Sequence, residues 1–291
     1  KMFRKLENIQ ELRLKCQERP EKVNLKLSKY LYRPISIYIT YIFLKLSISA
    51  NFVTLLSILI TFLGSFFLLN GGMVNLTIGF FCFWLFYLLD FCDGEIARYN
   101  NANSLTGHFF ELIAHYIVNI LFFLSIGITF YMMTNNFYYL IFSGLGVIGD
   151  NIIKLKDAVI WQTICVERLR LTSRNDTSKE EQNKYQVDID DTQKEEFKKD
   201  KSKNLIFEFL KKNILLGHFF ANAIYLPFLI LSLITLIFSL SLIYLEILFF
   251  YTCVINIILS IKILFETIKN KKTEKTFVKF FKTEDKIDFN L

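Results

Sequence analysis

Proline, histidine and charge are scarce in this chain, and each shortage narrows what it can be. Only 3 of its 291 residues are Pro and only 3 are His. So little proline leaves long helices uninterrupted. No Lys or Arg occurs in residues 46–97, 99–153 or 213–261. A soluble globule needs charge spread over its surface, so runs of this length argue against one. The five cysteines (Cys16, Cys82, Cys92, Cys165 and Cys253) form no CxxC or zinc-type pair. A disulfide framework is therefore not expected, and Cys92 reads as a packing residue rather than a nucleophile. The first 30 residues are charged and lack a long apolar run, so no cleavable signal peptide is expected. Gly71-Gly72-Met73 is a turn, not a phosphate loop. No nucleic-acid partner is expected.

What remains is strongly apolar. Hydrophobic residues make up 53% of the chain, mean hydropathy is +0.37, and there are 32 Phe. The fold class read from this is all-α: a polytopic membrane protein of six transmembrane helices preceded by an interfacial amphipathic helix. The lipid bilayer is accordingly its first partner. A span needs about 20 apolar residues for a hydrocarbon core of about 30 Å. Such stretches lie at Phe52–Leu69, Val74–Leu89 (running on to Tyr99), Leu105–Met132, Phe137–Asp150, Ile214–Leu236 (bent at Pro227) and Leu242–Leu264.

These spans divide the chain into five parts. Residues 1–48 hold the cytoplasmic and interfacial N-terminal helices, the first 30 reading equally as a solvated or a membrane-surface helix. Residues 49–165 hold spans one to four, and 166–212 are a polar cytoplasmic insert, disordered or loosely helical. Residues 213–268 hold spans five and six, and 269–291 are a basic tail suited to an anionic leaflet. The turns at 70–73, 133–136 and 237–241 carry no basic residue, whereas the N-terminus, 154–212 and the tail carry nearly all of them. By the positive-inside rule both termini face the cytoplasm, and so does the end of the second span at Asp90–Arg98.

That end is the stretch on which function turns, DFCDGEIARYNNANSLTGHFFELIAH from Asp90 to His115. Residues at i, i+3, i+4 and i+7 share a helix face, as do those at i, i+4 and i+8. Asp90, Asp93, Gly94, Ala97 and Arg98 therefore form one face, and Gly107, Glu111 and His115 another, separated by the polar turn NNANS, where Ser104 or Thr106 offers an N-cap. Ionisable groups at a membrane edge are costly and are functional candidates by default.

The spacing Asp90-x2-Asp93-Gly94-x2-Ala97-Arg98-x8-Gly107 resembles the signature of the CDP-alcohol phosphotransferase (phosphatidyltransferase) family. In that pattern two further aspartates follow at the places held here by Glu111 and His115. Ser49-Ala50-Asn51-Phe52-Val53-Thr54 is similar to the family's P-N-x-x-T entry to its first span, with Ala50 in place of proline. DFCDGEIAR is most similar to the di-myo-inositol-phosphate-phosphate synthase branch. The resemblance implies a CDP-linked donor, an alcohol acceptor (lipid or polyol phosphate) whose hydroxyl attacks the β-phosphorus, release of CMP, and Mg²⁺ or Mn²⁺, two ions, as cofactor. It implies metal ligation by Asp90, Asp93, Glu111 and His115. It places Asn51, Thr54, Gly94, Ala97, Arg98 and Gly107 around the donor, with Glu111 and His115 as the catalytic pair and His115 as base. Family members pair as homodimers, so a homodimer is an expectation too.

The two departures decide how the acceptor is activated. Glu111 keeps a carboxylate on an arm one methylene longer. An imidazole, with an unperturbed pKa of about 6.5, is a competent base at neutral pH; it is a poor Mg²⁺ ligand but accepts Mn²⁺. Three readings stand: an active enzyme with His115 as base, a site retuned to another CMP-activated donor such as a phosphonate, or a degenerate site that binds nucleotide without turnover. A small-solute transporter is the rival from another class, disfavoured because the polar cluster lies near one leaflet and the two halves show no evident repeat. Outside the signature, Glu95 reads as pairing structurally with a basic loop, His108 and His218 as interfacial, Asn119 as a helix–helix contact, and Asp150 either as paired with Lys154 or as lining the acceptor pocket.

Overall fold

Two serines start the helices that carry the candidate stretch. Ser49 accepts a hydrogen bond from the backbone N–H of Phe52 at 3.4 Å, and Ser104 accepts one from Gly107 at 3.0 Å. Each satisfies a donor that the first helical turn leaves unpaired. In a computed structural model, which describes residues 8–17, 28–102, 104–173, 224–269 and 273, every element is helical. They are α1 (Ile9–Gln17), a π-helical turn (Ser28–Tyr32), α2 (Arg33–Lys45), α3 (Ala50–Leu69), α4 (Met73–Tyr99), α5 (Leu105–Thr134), α6 (Tyr138–Ser173), α7 (Tyr225–Phe238) and α8 (Ile243–Lys269).

Among the described residues, four helices are long and apolar enough to cross a membrane: Ala50–Leu69, Met73–Tyr99, Thr106–Thr134 and Ile243–Lys269. The protein is an all-α membrane protein. Two further expected spans differ in outline. α6 does not stop near Asp150 but continues to Ser173, carrying Asp150, Asn151, Lys154 and Lys156 within it. It thereby takes in the first residues of the expected insert, while 174–212 lie outside the described residues. α7 is a shorter apolar helix with Pro227 in its first turn, where no backbone N–H is needed, so Pro227 starts the described helix rather than bending it. Residues 214–223, with His218, and most of the tail also lie outside the described residues.

α3 shows how a span packs without a hydrophobic drive between helices. Its buried face is Val53, Thr54, Ser57, Thr61, Gly64, Ser65 and Leu68, while Leu55, Leu59, Phe62, Leu63 and Phe66 are exposed. Small and weakly polar residues inward with large apolar ones outward is the pattern of a helix facing lipid. Gly64 and Gly79 allow the close approach of α3 to α4: a Cβ on Gly79 would stand 2.6 Å from Leu68 and 2.9 Å from the Gly64 carbonyl.

The chain divides into two compact units, residues 1–147 with 219–254, and residues 148–218 with 255–291. The first contains the candidate stretch. Its apolar centre is aromatic, with Phe80, Phe83, Phe86, Phe122, Phe130, Phe228 and Phe249 all buried. A second cluster joins Leu12, Cys16, Ile37 and Leu44 to Leu89, Cys92 and Ile96 at the signature end of α4. α1 and α2 are thus seated on α4. In the second unit, α6 meets α8 at Gly149, whose Cβ would fall 2.7 Å from the Asn256 carbonyl carbon, and Ile153, Leu259 and Ile263 pack together.

Candidate functional site

The signature end of α4 puts three acids within eight residues of Arg98, and the fold gives each a different neighbour. Asp93 is 7% exposed and accepts a hydrogen bond from the Thr54 hydroxyl of α3 at 2.6 Å. Thr54 is therefore a residue that holds Asp93, beyond its expected place around a donor. Asp90, one turn earlier, turns its Oδ1 to His115 Nε2 on α5 at 3.2 Å. One ligand atom each from Asp90, Glu111 and His115 lies within 4.8 Å of the other two. Two ligands on one small divalent ion, with bonds of about 2.1 Å, stand about 3–4 Å apart, so the trio is near enough to close on a shared cation with small side-chain shifts. An Asp/Glu/His group is thus placed to bind a metal ion. Asp93 is not part of the trio. The edge of the Phe86 ring packs against the His115 imidazole, with centroids 5.7 Å apart.

A cavity of about 510 Å³ opens over these groups. It is lined by every residue singled out from the sequence except His115: Asn51, Thr54, Asp90, Asp93, Gly94, Ala97, Arg98, Gly107 and Glu111. Arg98 is fixed at its wall by an Nε–H bond to the Cys16 carbonyl of α1 at 2.6 Å. A Cβ on Gly94 would lie 3.1 Å from an Arg98 guanidinium nitrogen, so the absent side chain lets that guanidinium lie against α4. Gly107 likewise admits Ser104 Oγ and Asn51 Oδ1, at 3.2 and 3.4 Å from where its Cβ would be.

Glu95 was expected to pair with a basic loop. It is buried at 1% exposure, and its described partners are neutral: Gln17 and Ser36 donate to one carboxylate oxygen and Thr40 to the other, each at 2.7 Å. It bolts α1 and α2 to α4. A carboxylate taken from water is stabilised when several donors satisfy it. The period of α4 could not reveal these partners, because they come from helices 55 to 78 residues away in sequence.

Arg33, Ser104 and His108 also line the cavity, although Ser104 was expected only as an N-cap and His108 only as interfacial. His108 stands with Nδ1 3.5 Å from Glu111 Oε2, both well exposed. The only advance signal for Ser104 was its capping position. Asp150 is buried and lies 3.0 Å from Lys154 Nζ, the pairing that a four-residue step allows. Asn119 accepts from the Tyr225 hydroxyl of α7 at 2.9 Å, a helix–helix contact as expected. The four buried cysteines and the exposed Cys165 form no disulfide.

Residues 47–171 match the family described as CDP-alcohol phosphatidyltransferase. No curated protein matches the chain.

Proposed function

We propose, from the premise that residues 47–171 are a CDP-alcohol phosphatidyltransferase domain, that this chain transfers a substituted phosphate from a CDP-linked donor to an alcohol acceptor and releases CMP in its 510 Å³ cavity. The observation that carries the reading is the meeting of Asp90, Glu111 and His115 within 4.8 Å. That meeting joins the two halves of the signature at one point.

Asp90, Glu111 and His115 are assigned to one divalent ion, and Asp93 with Asp90 to a second. The carboxylates suit Mg²⁺ or Mn²⁺, and the imidazole favours Mn²⁺ of the two. A bound cation would offset the charge that builds on the pyrophosphate as CMP departs. The chain's own groups do the rest. Thr54 keeps Asp93 in one rotamer, and the Cys16 carbonyl keeps the Arg98 guanidinium at the cavity wall, where it offsets phosphate charge. In its other role, as an unligated base, His115 takes the acceptor's proton at Nδ1, and Asp90 Oδ1, 3.2 Å from Nε2, stabilises the imidazolium that results. Gly107 and Ala97 leave room beside the helix backbones for nucleotide. Lys/Arg placement along the chain supports a cavity open to the cytoplasm.

The test is CMP release by the purified chain from a panel of CDP-alcohols that includes CDP-diacylglycerol, with Mg²⁺ or Mn²⁺. Wild type is expected to release CMP, and Asp93→Ala to release none above background. Nucleotide binding without turnover in wild type, or full activity in Asp93→Ala, would remove the assignment.

A further inference from the structure

A second cavity, of about 280 Å³, lies where α1, the π-helical turn and α2 come together. Its lining is Arg13, Leu14, Gln17, Lys29, Arg33 and Pro34. It contrasts in charge with the reaction cavity, whose wall carries Asp90, Asp93, Glu95 and Glu111. The smaller one has three cations and no carboxylate, and among the described residues none of the three joins an ion pair. Like charges gathered at one concavity repel each other unless an anion sits between them.

Its surroundings indicate which anion. α2 buries Ser36, Ile37, Thr40 and Leu44, and exposes Ile35, Tyr38, Ile42 and Leu46 on another face. Tyr30 and Tyr38 are 73% and 53% exposed at the cavity's rim, with Lys29 Nζ 5.9 Å from the first ring and the Arg13 guanidinium 6.0 Å from the second. Exposed tyrosines beside an apolar stripe and basic heads suit the headgroup level of a membrane. Phosphate is the anion found there. Arg33 lines both cavities, and its guanidinium is anchored by a hydrogen bond to the Gln17 carbonyl at 2.9 Å. A phosphate bound on the one side therefore lies next to the reaction cavity on the other.

We infer that Arg13, Lys29 and Arg33 form a binding site for a phosphate ester, outside the signature. Two sources share that chemistry: the headgroup of an anionic phospholipid and a soluble phosphorylated molecule. Arginine forks grip phosphate oxygens in pairs, and Lys29 adds a point charge. The site stands whether or not the chain transfers phosphate, because its test reads binding and not CMP.

The full chain in neutral detergent is titrated in one arm with inorganic phosphate and in the other with dihexanoyl phosphatidylglycerol. Saturable binding of one probe is expected, and the probe bound more tightly identifies the source. Arg13→Gln with Lys29→Gln is expected to weaken it by roughly tenfold or more, given about a factor of five per basic residue near an anionic surface. Lys29→Gln alone, at an exposed position, should weaken it several-fold and serves where the double variant fails to fold. Lys15→Gln, on α1 but outside the cavity, should leave it unchanged. Arg33 is kept, since it also lines the reaction cavity. No saturable binding of either probe, or equal affinity in wild type and variants, overturns the site.

Discussion

The two halves of the signature are built to different tolerances. At the signature end of α4, three charged side chains are tied to other elements: Asp93 to Thr54 of α3, Glu95 to Gln17, Ser36 and Thr40, and Arg98 to Cys16 of α1. On α5, Glu111 is 51% exposed, and the contact it makes with His108 is local, three residues back. A side chain clamped by neighbours cannot change length or charge without breaking several contacts at once. One that projects into an open cavity can. The residues that depart from the family's aspartates, Glu111 and His115, both lie on α5, Glu111 in the open cavity and His115 with a single polar tie to Asp90. The difference teaches that ligand identity is negotiable where the surrounding shell is thin, and fixed where it is thick.

His115 offers the largest test of that contrast. Its Nε2 faces Asp90, so His115→Ala removes the base or the ligand that the imidazole supplies, and CMP release should fall by roughly 10²- to 10⁴-fold. His115→Asp restores the residue type of the family pattern on a permissive helix and should recover part of the activity. An aspartate variant as dead as the alanine one would show α5 to be as rigid as α4, and an unimpaired alanine variant would remove the base role.

Next in size is Thr54→Val, on the clamped half. Valine keeps the shape and loses the hydroxyl that donates to Asp93 at 2.6 Å. Losing such a support for a metal-binding carboxylate typically costs about 10- to 100-fold in activity or metal affinity. The expected result is that loss, with a raised Mn²⁺ requirement that added metal partly rescues. Wild-type kinetics at low Mn²⁺ would show that Asp93 needs no clamp, and the contrast between the halves would fail.

How far the sequence led follows the same division. Helix content and membrane character were legible because apolar runs without Lys or Arg leave few alternatives, and α3, α4 and α5 begin within a few residues of where the runs begin. The signature residues were legible from helical spacing, and all but His115 reach one cavity. Asp90, Glu111 and His115 were all named as ligands alongside Asp93, but how the four are arranged depends on the angle between α4 and α5, which groups the first three and sets Asp93 against Thr54. Lys154 and Lys156 read as an exit from the membrane, and α6 runs on past them because nothing in LKDAVIWQTICVERL halts a helix. Glu95 was set apart from the acidic face, and its partners were illegible, coming from helices far away in the chain.

Glu95 also provides the smallest expected effect and the most specific check of what holds the tight half together. Gln17 and Ser36 donate to Oε1, and Thr40 to Oε2. In Glu95→Gln the amide oxygen can keep the first two bonds, and the amide nitrogen can donate to the Thr40 hydroxyl, which accepts as well as it donates. The cost should be about 1 kcal/mol, seen as a shift of a few degrees in the melting of the purified protein. Glu95→Ala leaves three donors unpaired in a buried place, at about 1–3 kcal/mol for each that finds no water, and should melt far earlier. If the charge itself were what held α1 and α2, through a cation rather than these hydroxyl and amide donors, the glutamine variant would be as damaged as the alanine one. Near-equal melting of Glu95→Gln and wild type would instead establish hydrogen-bond geometry as the clamp on the signature end of α4.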